Sequence, residues 1–390
     1  MTRVIHTITP WDHFSPRTGS AIPTVVDGLA RAASAHGDPR HAVVVERSTF
    51  QPRYESADVI EYAGRHVPAP VRQFIDPALG RLAVPRFGTA EYFAPLVAAL
   101  RAQPPSIVLA HNAPQLPWLL RNTPHRVVLY AHNELLRTYS RPEATRALRP
   151  ADGIVCVSRD LAERTRAAVG TENEAKVHVV GNGVDTARFT PRMEGPRGGP
   201  MRVMFVGRVV PEKGVDTLLR SAAGFARSEL EIVVVGSAGF DSAAPLTDYE
   251  TGLRALAARS NARVEFRSFV DRTELPELLR SADVLCVPSR WPEPSGLTLG
   301  EGLASGVPVV ASRVGGIPEA AGPASLLVTP DDPAELAATF RRLLEHPERR
   351  REIGWAGRRW AEAHDWSWAW GRLREVLDAA VPGFHAGSPD

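Results

Sequence analysis

The chain has 390 residues, 44% hydrophobic and 23% charged, with a formal net charge of +2 at pH 7. That length points to two or three domains, and the apolar content is ample for packed cores. Near-neutrality excludes a dedicated polyanion-binding surface, so no nucleic-acid partner is expected. The basic residues are almost all arginine; lysine occurs only at Lys176 and Lys213, which makes a lysine in a motif informative. Cys156 and Cys286 lie in strand-like apolar runs and read as small buried hydrophobes of a reducing compartment, not as a disulfide or metal site. The opening MTRVIHTITP is too short and polar for a signal peptide, and no run approaches the roughly eighteen apolar residues of a membrane span. A cytoplasmic protein is expected.

Val4 to Ile8 reads as the first strand, and a polar loop, Trp11 to Ser20, follows it. Apolar residues then recur with helical spacing from Ile22 to Ala35. Gly19, just ahead of that helix, suits close approach of backbone N–H groups to a phosphate. Ala42 to Val45 is the next strand, whereas residues 50–95 show only scattered proline and arginine with weak periodicity. Two further strands end in histidine: Ser106 to Ala110 leads to His111, and Arg126 to Tyr130 leads to His132. An imidazole at the carboxyl end of a strand is placed to hydrogen-bond a ligand hydroxyl. Ala151 to Ser158 is another strand, with Ser158 as N-cap of a helix from Arg159 to Val169.

Residues 191–200, PRMEGPRGGP, hold three prolines and three glycines and mark a domain boundary. The boundaries read as 1–190, a linker at 191–200, a second domain at 201–364, and a terminal helix and loose tail at 365–390. Beyond the linker the chain restarts with a strand at Val203 to Val206 and the loop Gly207-Arg208 to Lys213-Gly214, which holds one of the two lysines. A strand over Glu231 to Gly236 ends in a tight turn at Gly236, and Arg263 to Phe269 is an alternating strand followed by Val270. Five tryptophans, at 355, 360, 366, 368 and 370, read as packing residues of the last helices. Neither Gly-x-Gly-x-x-Gly nor Asp-x-Asp occurs, so a dinucleotide fingerprint and a metal-carboxylate clamp are both missing from the sequence.

Residues 284–320, VLCVPSRWPEPSGLTLGEGLASGVPVVASRVGGIPEA, organise the rest. Strand, loop, helix, strand and glycine loop is the layout of a nucleotide site at the carboxyl ends of parallel strands. Glu293 falls in the loop, and Glu301 comes about two helical turns later, where it reaches a ribose diol.

This stretch resembles the retaining glycosyltransferases of the GT4 type, which have a GT-B fold. The resemblance rests on Pro288-Ser289, Glu293-Pro294, Gly296-Leu297, Glu301 to Ala304, Gly306-x-Pro308-Val309-Val310 and Gly315-Gly316-x-Pro318-Glu319. Ser295 and Gly302 depart from the family pattern. The fold it implies is α/β, two Rossmann-like domains facing across a cleft, with a C-terminal helix crossing back to the first domain. It implies a nucleotide-sugar donor, most often UDP-linked, and transfer of a hexosyl or N-acetylhexosaminyl group with retention. In the family, residues matching Arg208 and Lys213 hold the diphosphate, and Gly19, Gly207 and Gly236 line the donor site. The match to Glu293, with the amides that follow at Ser295, Gly296 and Leu297, binds the sugar, as does the match to His132. The loop at Val270 meets the base. No cofactor or metal is expected, because the two cations do the metal's work. The acceptor is expected to be a saccharide or hydroxylated small molecule near Trp11, His13 and His111, with peripheral membrane contact left open. Alternatives are a GT-B phosphorylase, a nucleotide-sugar epimerase, or a non-catalytic sugar-binding module.

Overall fold

The structure, a computed structural model, describes residues 3–68, 70–82, 86–193, 198–239 and 244–381. The middle of the 191–200 stretch and the tail from Pro382 lie outside the described residues. The chain forms two compact units, Met1–Asn182 with Trp366–Asp390, and Gly183–Asp365.

The first unit is built on seven parallel strands: β1 (Arg3–Thr7), β2 (Ala42–Glu46), β3 (Asp58–Tyr62), β4 (Ser106–His111), β5 (Arg126–Ala131), β6 (Gly153–Cys156) and β7 (Val177–Val179). Their order is β3-β2-β1-β4-β5-β6-β7. The runs AVVVE of β2 and SIVLAH of β4 are buried along their whole length, as a parallel sheet covered on both faces requires. Strand β3 comes from the poorly readable 50–95 segment. It is an edge strand on which only Tyr62 is buried, so it left no apolar run to read. Helix α1 (Ala21–Ala35) buries Val25, Val26, Leu29 and Ala33 at the spacing the sequence shows. Helix α2 (Phe87–Arg101) precedes β4, and helix α3 (Arg159–Ala168) starts at Ser158, whose hydroxyl accepts from the Leu161 N–H.

The second unit has six parallel strands: β8 (Met201–Val206), β9 (Leu230–Val235), β10 (Arg263–Arg267), β11 (Val284–Val287), β12 (Val309–Ser312) and β13 (Leu326–Val328), ordered β10-β9-β8-β11-β12-β13. Around them lie α4 (Val215–Ser221), α5 (Leu297–Ala304), α6 (Pro333–Glu345) and α7 (Pro347–Glu362). Gly302 explains its own departure from the family pattern: a Cβ there would overlap the Leu285 side chain of β11, so glycine lets α5 sit close to the sheet. The chain joins this unit at Gly183, ahead of the proline- and glycine-rich stretch, because Val184 and Phe189 are buried in its core.

Helix α8 (Trp366–Ala380) belongs to the first unit and packs on α1. Trp366 lies against Gly28, Trp368 against Gly181, and Trp370 is fully buried. In the second unit Trp360 stacks on His364. Trp355 departs from the expected packing role; it is 56% exposed on α7.

Candidate functional site

In each sheet the chain order reverses at the first strand, between β1 and β4 and between β8 and β11. Such a switch point opens a crevice at the carboxyl ends of the strands. The loop after β8 carries Arg208 and Lys213, and the loop after β11 carries Glu293, so the second unit assembles these residues at its switch point. Lys213 is ion-paired with Oε1 of buried Glu293, and the Ser289 hydroxyl donates to that same oxygen at 3.0 Å. Arg208 is exposed and makes no hydrogen bond or ion pair among the described residues. One cation is therefore tethered and the other free for an anion.

Arg290 fixes the two loops together. Its backbone N–H donates to the Glu212 carbonyl at 2.9 Å. Its guanidinium reaches Asp216 at 2.6 Å and Asp331 at 2.7 Å. Burial works against the charge on Asp216, yet hydrogen bonds from Arg290 and Tyr249 hold its carboxyl below the usual range. Two glycines complete the frame. Gly236, after β9, has φ 130°, and a Cβ there would overlap the Gly207 carbonyl. Gly315, at φ 59°, would place a Cβ 2.6 Å from the Glu293 carbonyl oxygen, and the Gly316 N–H donates to that oxygen at 2.6 Å. The glycine pair thus clamps the backbone of Glu293.

Gly296, at φ 87°, is the N-cap of α5, with Ser295 buried before it and Leu297 opening the helix. The first amides of a helix lack intrahelical partners and favour an acceptor. One turn further along, α5 buries Glu301 at 3% exposure. Arg272, from the loop after β10 that also holds half-buried Val270, is ion-paired with Oε1 of Glu301. Oε2 of Glu301 is buried and has no hydrogen-bond partner among the described residues. Buried carboxylate oxygens are almost always satisfied, so this acceptor lacks a donor such as a hydroxyl. Sequence reasoning named Ser289 only as a motif residue and missed Arg272 and Arg290, which arginine abundance hid.

In the first unit, His111 and His132 are both buried and hydrogen-bonded to each other at 2.7 Å. Burial lowers the His132 pKa to about 3, so the ring is neutral. Trp11 is half-exposed with φ 71°. His13 is engaged in its own loop: it stacks on Phe50 at 3.7 Å and accepts from the Phe50 N–H at 3.0 Å. Asp12, which the sequence did not single out, accepts from the Ser20 hydroxyl at 2.8 Å beside partly buried Gly19, and burial raises its pKa.

An architecture of two all-parallel α/β units is that of the GT-B glycosyltransferases. Anabaena HepE, solved with UDP and glucose, superposes with a TM-score of 0.73 at 18% identity, covering 97% of this chain and 100% of that one. Sucrose-phosphate synthase from Thermosynechococcus elongatus gives 0.74 at 21% identity with the same coverage. The chain belongs to glycosyltransferase family 4: residues 22–188 match Glycosyltransferase Family 4 and residues 186–360 match Glycosyl transferases group 1. It is 32% identical to alpha-maltose-1-phosphate synthase of Mycolicibacterium smegmatis over 69% of this chain and 77% of that one. It is 34% identical to D-inositol 3-phosphate glycosyltransferase of Thermomonospora curvata over 59% of this chain and 57% of that one. The chain spans about half to three-fifths of the length of several curated relatives it matches. Among the described residues no helix is long and apolar enough to cross a membrane, and no group of three or more His, Cys, Asp or Glu is placed to hold a metal ion.

Proposed function

We propose that the protein is a retaining glycosyltransferase that moves a hexosyl or N-acetylhexosaminyl group from a nucleotide sugar, UDP-linked, to a saccharide or hydroxylated small-molecule acceptor. The observation that carries this reading is Oε2 of Glu301, without a partner among the described residues, an acceptor aimed for a ribose hydroxyl on the same unit as the Lys213–Glu293 pair. Arg208 and Lys213 bind the diphosphate and stabilise the charge that grows on it as it leaves. Glu293 and the amides at the start of α5 hold the sugar hydroxyls, and His132 supplies a further hydrogen bond to the sugar. The acceptor oxygen attacks the anomeric carbon on the face the diphosphate leaves. The carbon–phosphate-oxygen bond breaks, and the acceptor's proton passes to the departing phosphate oxygen. Two cations serve where other transferases use a metal, so no cofactor is required. A solved neighbour that holds UDP and glucose, and relatives named for inositol phosphate and maltose 1-phosphate, support the donor class and a polar acceptor.

The test is a panel of nucleotide sugars added to the full chain, read by thermal shift and by nucleotide release with and without sugar acceptors. One nucleotide-sugar class should stabilise the wild type and give acceptor-dependent release. Equal responses to every nucleotide, or none to any, would overturn the reading.

A further inference from the structure

Four imidazoles in the first unit form one hydrogen-bonded row. Nδ1 of His41 lies 2.9 Å from Nε2 of His6, and Nδ1 of His6 lies 2.9 Å from Nε2 of His111. Nδ1 of His111 lies 2.7 Å from Nε2 of His132. The strand register produces the row. His6 on β1 sits opposite Val43 of β2 and Leu109 of β4, and His111 sits opposite Tyr130 of β5. Each neighbouring histidine is offset by two residues from that direct partner: His41 before Val43, His111 after Leu109, His132 after Tyr130. Side chains alternate along a strand with period two, so all four rings fall on one face of the sheet. The row climbs from the start of β2 to the carboxyl end of β5.

A neutral imidazole carries one N–H and one lone pair, and each bond in the row needs one of each. Burial, aided by the neighbouring rings, holds His6 and His111 well below the ordinary histidine pKa. Burial alone lowers His41 to about 4 and His132 to about 3, so all four are neutral near pH 7. If Nε2 of His132 accepts, His111 must carry its proton on Nδ1, and so in turn must His6 and His41. If it donates, all four carry the proton on Nε2. Among the described residues Nδ1 of His132 has no hydrogen bond, so that atom is the open end of the row. The other end is closed by Trp370 of α8, which meets the His41 ring at 4.8 Å and 68° and is anchored through its indole N–H to Asp38 at 2.7 Å.

We propose that His41, His6 and His111 are positioning residues that lock His132 into one tautomer, so that the donor or acceptor character of its free Nδ1 is decided at the far end of the row. The consequence for catalysis rests on the proposed contact between His132 and a sugar hydroxyl; the tautomer lock does not. A ring held this way offers a hydroxyl one hydrogen-bonding sense, which orients the hydroxyl as well as holding it.

The test is nitrogen NMR on the full chain with isotope-labelled histidine side chains, each ring assigned from a single variant. The shifts of Nδ1 and Nε2 report which nitrogen is protonated. The four rings should share one tautomer in the wild type. In His41→Phe the His132 ring signals should change, although three hydrogen bonds separate the two sites. His125→Phe, a buried histidine outside the row, should leave them in place. Mixed tautomers in the wild type, or an unmoved His132 in a folded His41→Phe protein, would overturn the proposal. If His41→Phe does not fold, the wild-type spectrum decides alone. Absence of sugar transfer by the wild type would overturn the proposed function and leave the tautomer result standing.

Discussion

The Arg272 guanidinium is ion-paired with Oε1 of Glu301, while Oε2 of the same carboxylate is buried without a hydrogen-bond partner among the described residues. Both side chains are largely buried, at 11% and 4% exposure. A buried carboxylate stripped of its cation is costly, on the order of 3–5 kcal/mol when one partner of a buried pair is removed. The pair fixes the carboxylate in place and leaves its second oxygen available.

Two variants separate those roles. Arg272→Ala should lower the melting temperature of the unliganded protein, because it leaves Glu301 buried without its ion-pair partner. Glu301→Ala should abolish the thermal response to the nucleotide sugar. In the wild type, a ligand at a hundred times its dissociation constant adds about 2.7 kcal/mol. A Glu301→Ala protein that is stabilised as strongly as the wild type would remove the ribose assignment.

Arg208 and Lys213 should behave differently although they share a loop. Arg208→Ala should leave the melting temperature unchanged, since the side chain is exposed and makes no hydrogen bond or ion pair among the described residues. Lys213→Ala also breaks the pair with Glu293 and should lower stability as well as rate. Each should reduce turnover at saturating donor at least a hundredfold, matching the roughly 2.7–4 kcal/mol lost when a preorganised partner of developing charge is removed. Near-normal initial rates in either variant would refute the diphosphate assignment.

The β-strand cores and the glycine-bounded loops were legible because they leave local patterns. Apolar runs predicted β2, β4, β9 and β11, and the motif around Glu293 and Glu301 predicted both the loop and the helix that hold them. What the sequence hid is pairwise. Arg272 and Glu301 meet only because the loop after β10 reaches α5, and arginine is too common here for its position to signal anything. The histidine row needs the register of four strands, which no local pattern records. Strand β3 was missed for a different reason: an exposed edge carries little apolar signal.

Sugar transfer should survive excess chelator, since the proposed charge stabilisation comes from Arg208 and Lys213. Initial rates before and after chelation decide this. Complete loss restored by magnesium or manganese would contradict the two-cation reading. A modest stimulation by added metal would not, because divalent ions also speed departure of a nucleoside diphosphate.

The histidine row should make the first unit acid-sensitive. Unfolded histidine titrates near 6.5, whereas in the fold burial lowers His41 to about 4, His132 to about 3, and His6 and His111 well below their ordinary value. Above about pH 6.5 these rings are neutral folded or unfolded, and they add no pH dependence. Below it the unfolded chain takes up protons that the folded chain refuses, so stability falls as pH falls, until each ring passes its folded pKa. Each contributes up to about 1.4 kcal/mol per pH unit in that window. Asp12 and Asp152 act oppositely, since their raised pKa values favour the folded state on acidification, but they stand against the four rings of the row and against His13 and His178, which burial also lowers. Urea unfolding at pH 7.0 and pH 5.5, followed by tryptophan fluorescence with buried Trp370 reporting the first unit, should show the midpoint drop at the lower pH. His41→Phe should flatten that dependence by about one histidine's share. A wild-type midpoint unchanged between the two pH values would mean that the buried rings take up protons in the fold as readily as in the unfolded chain.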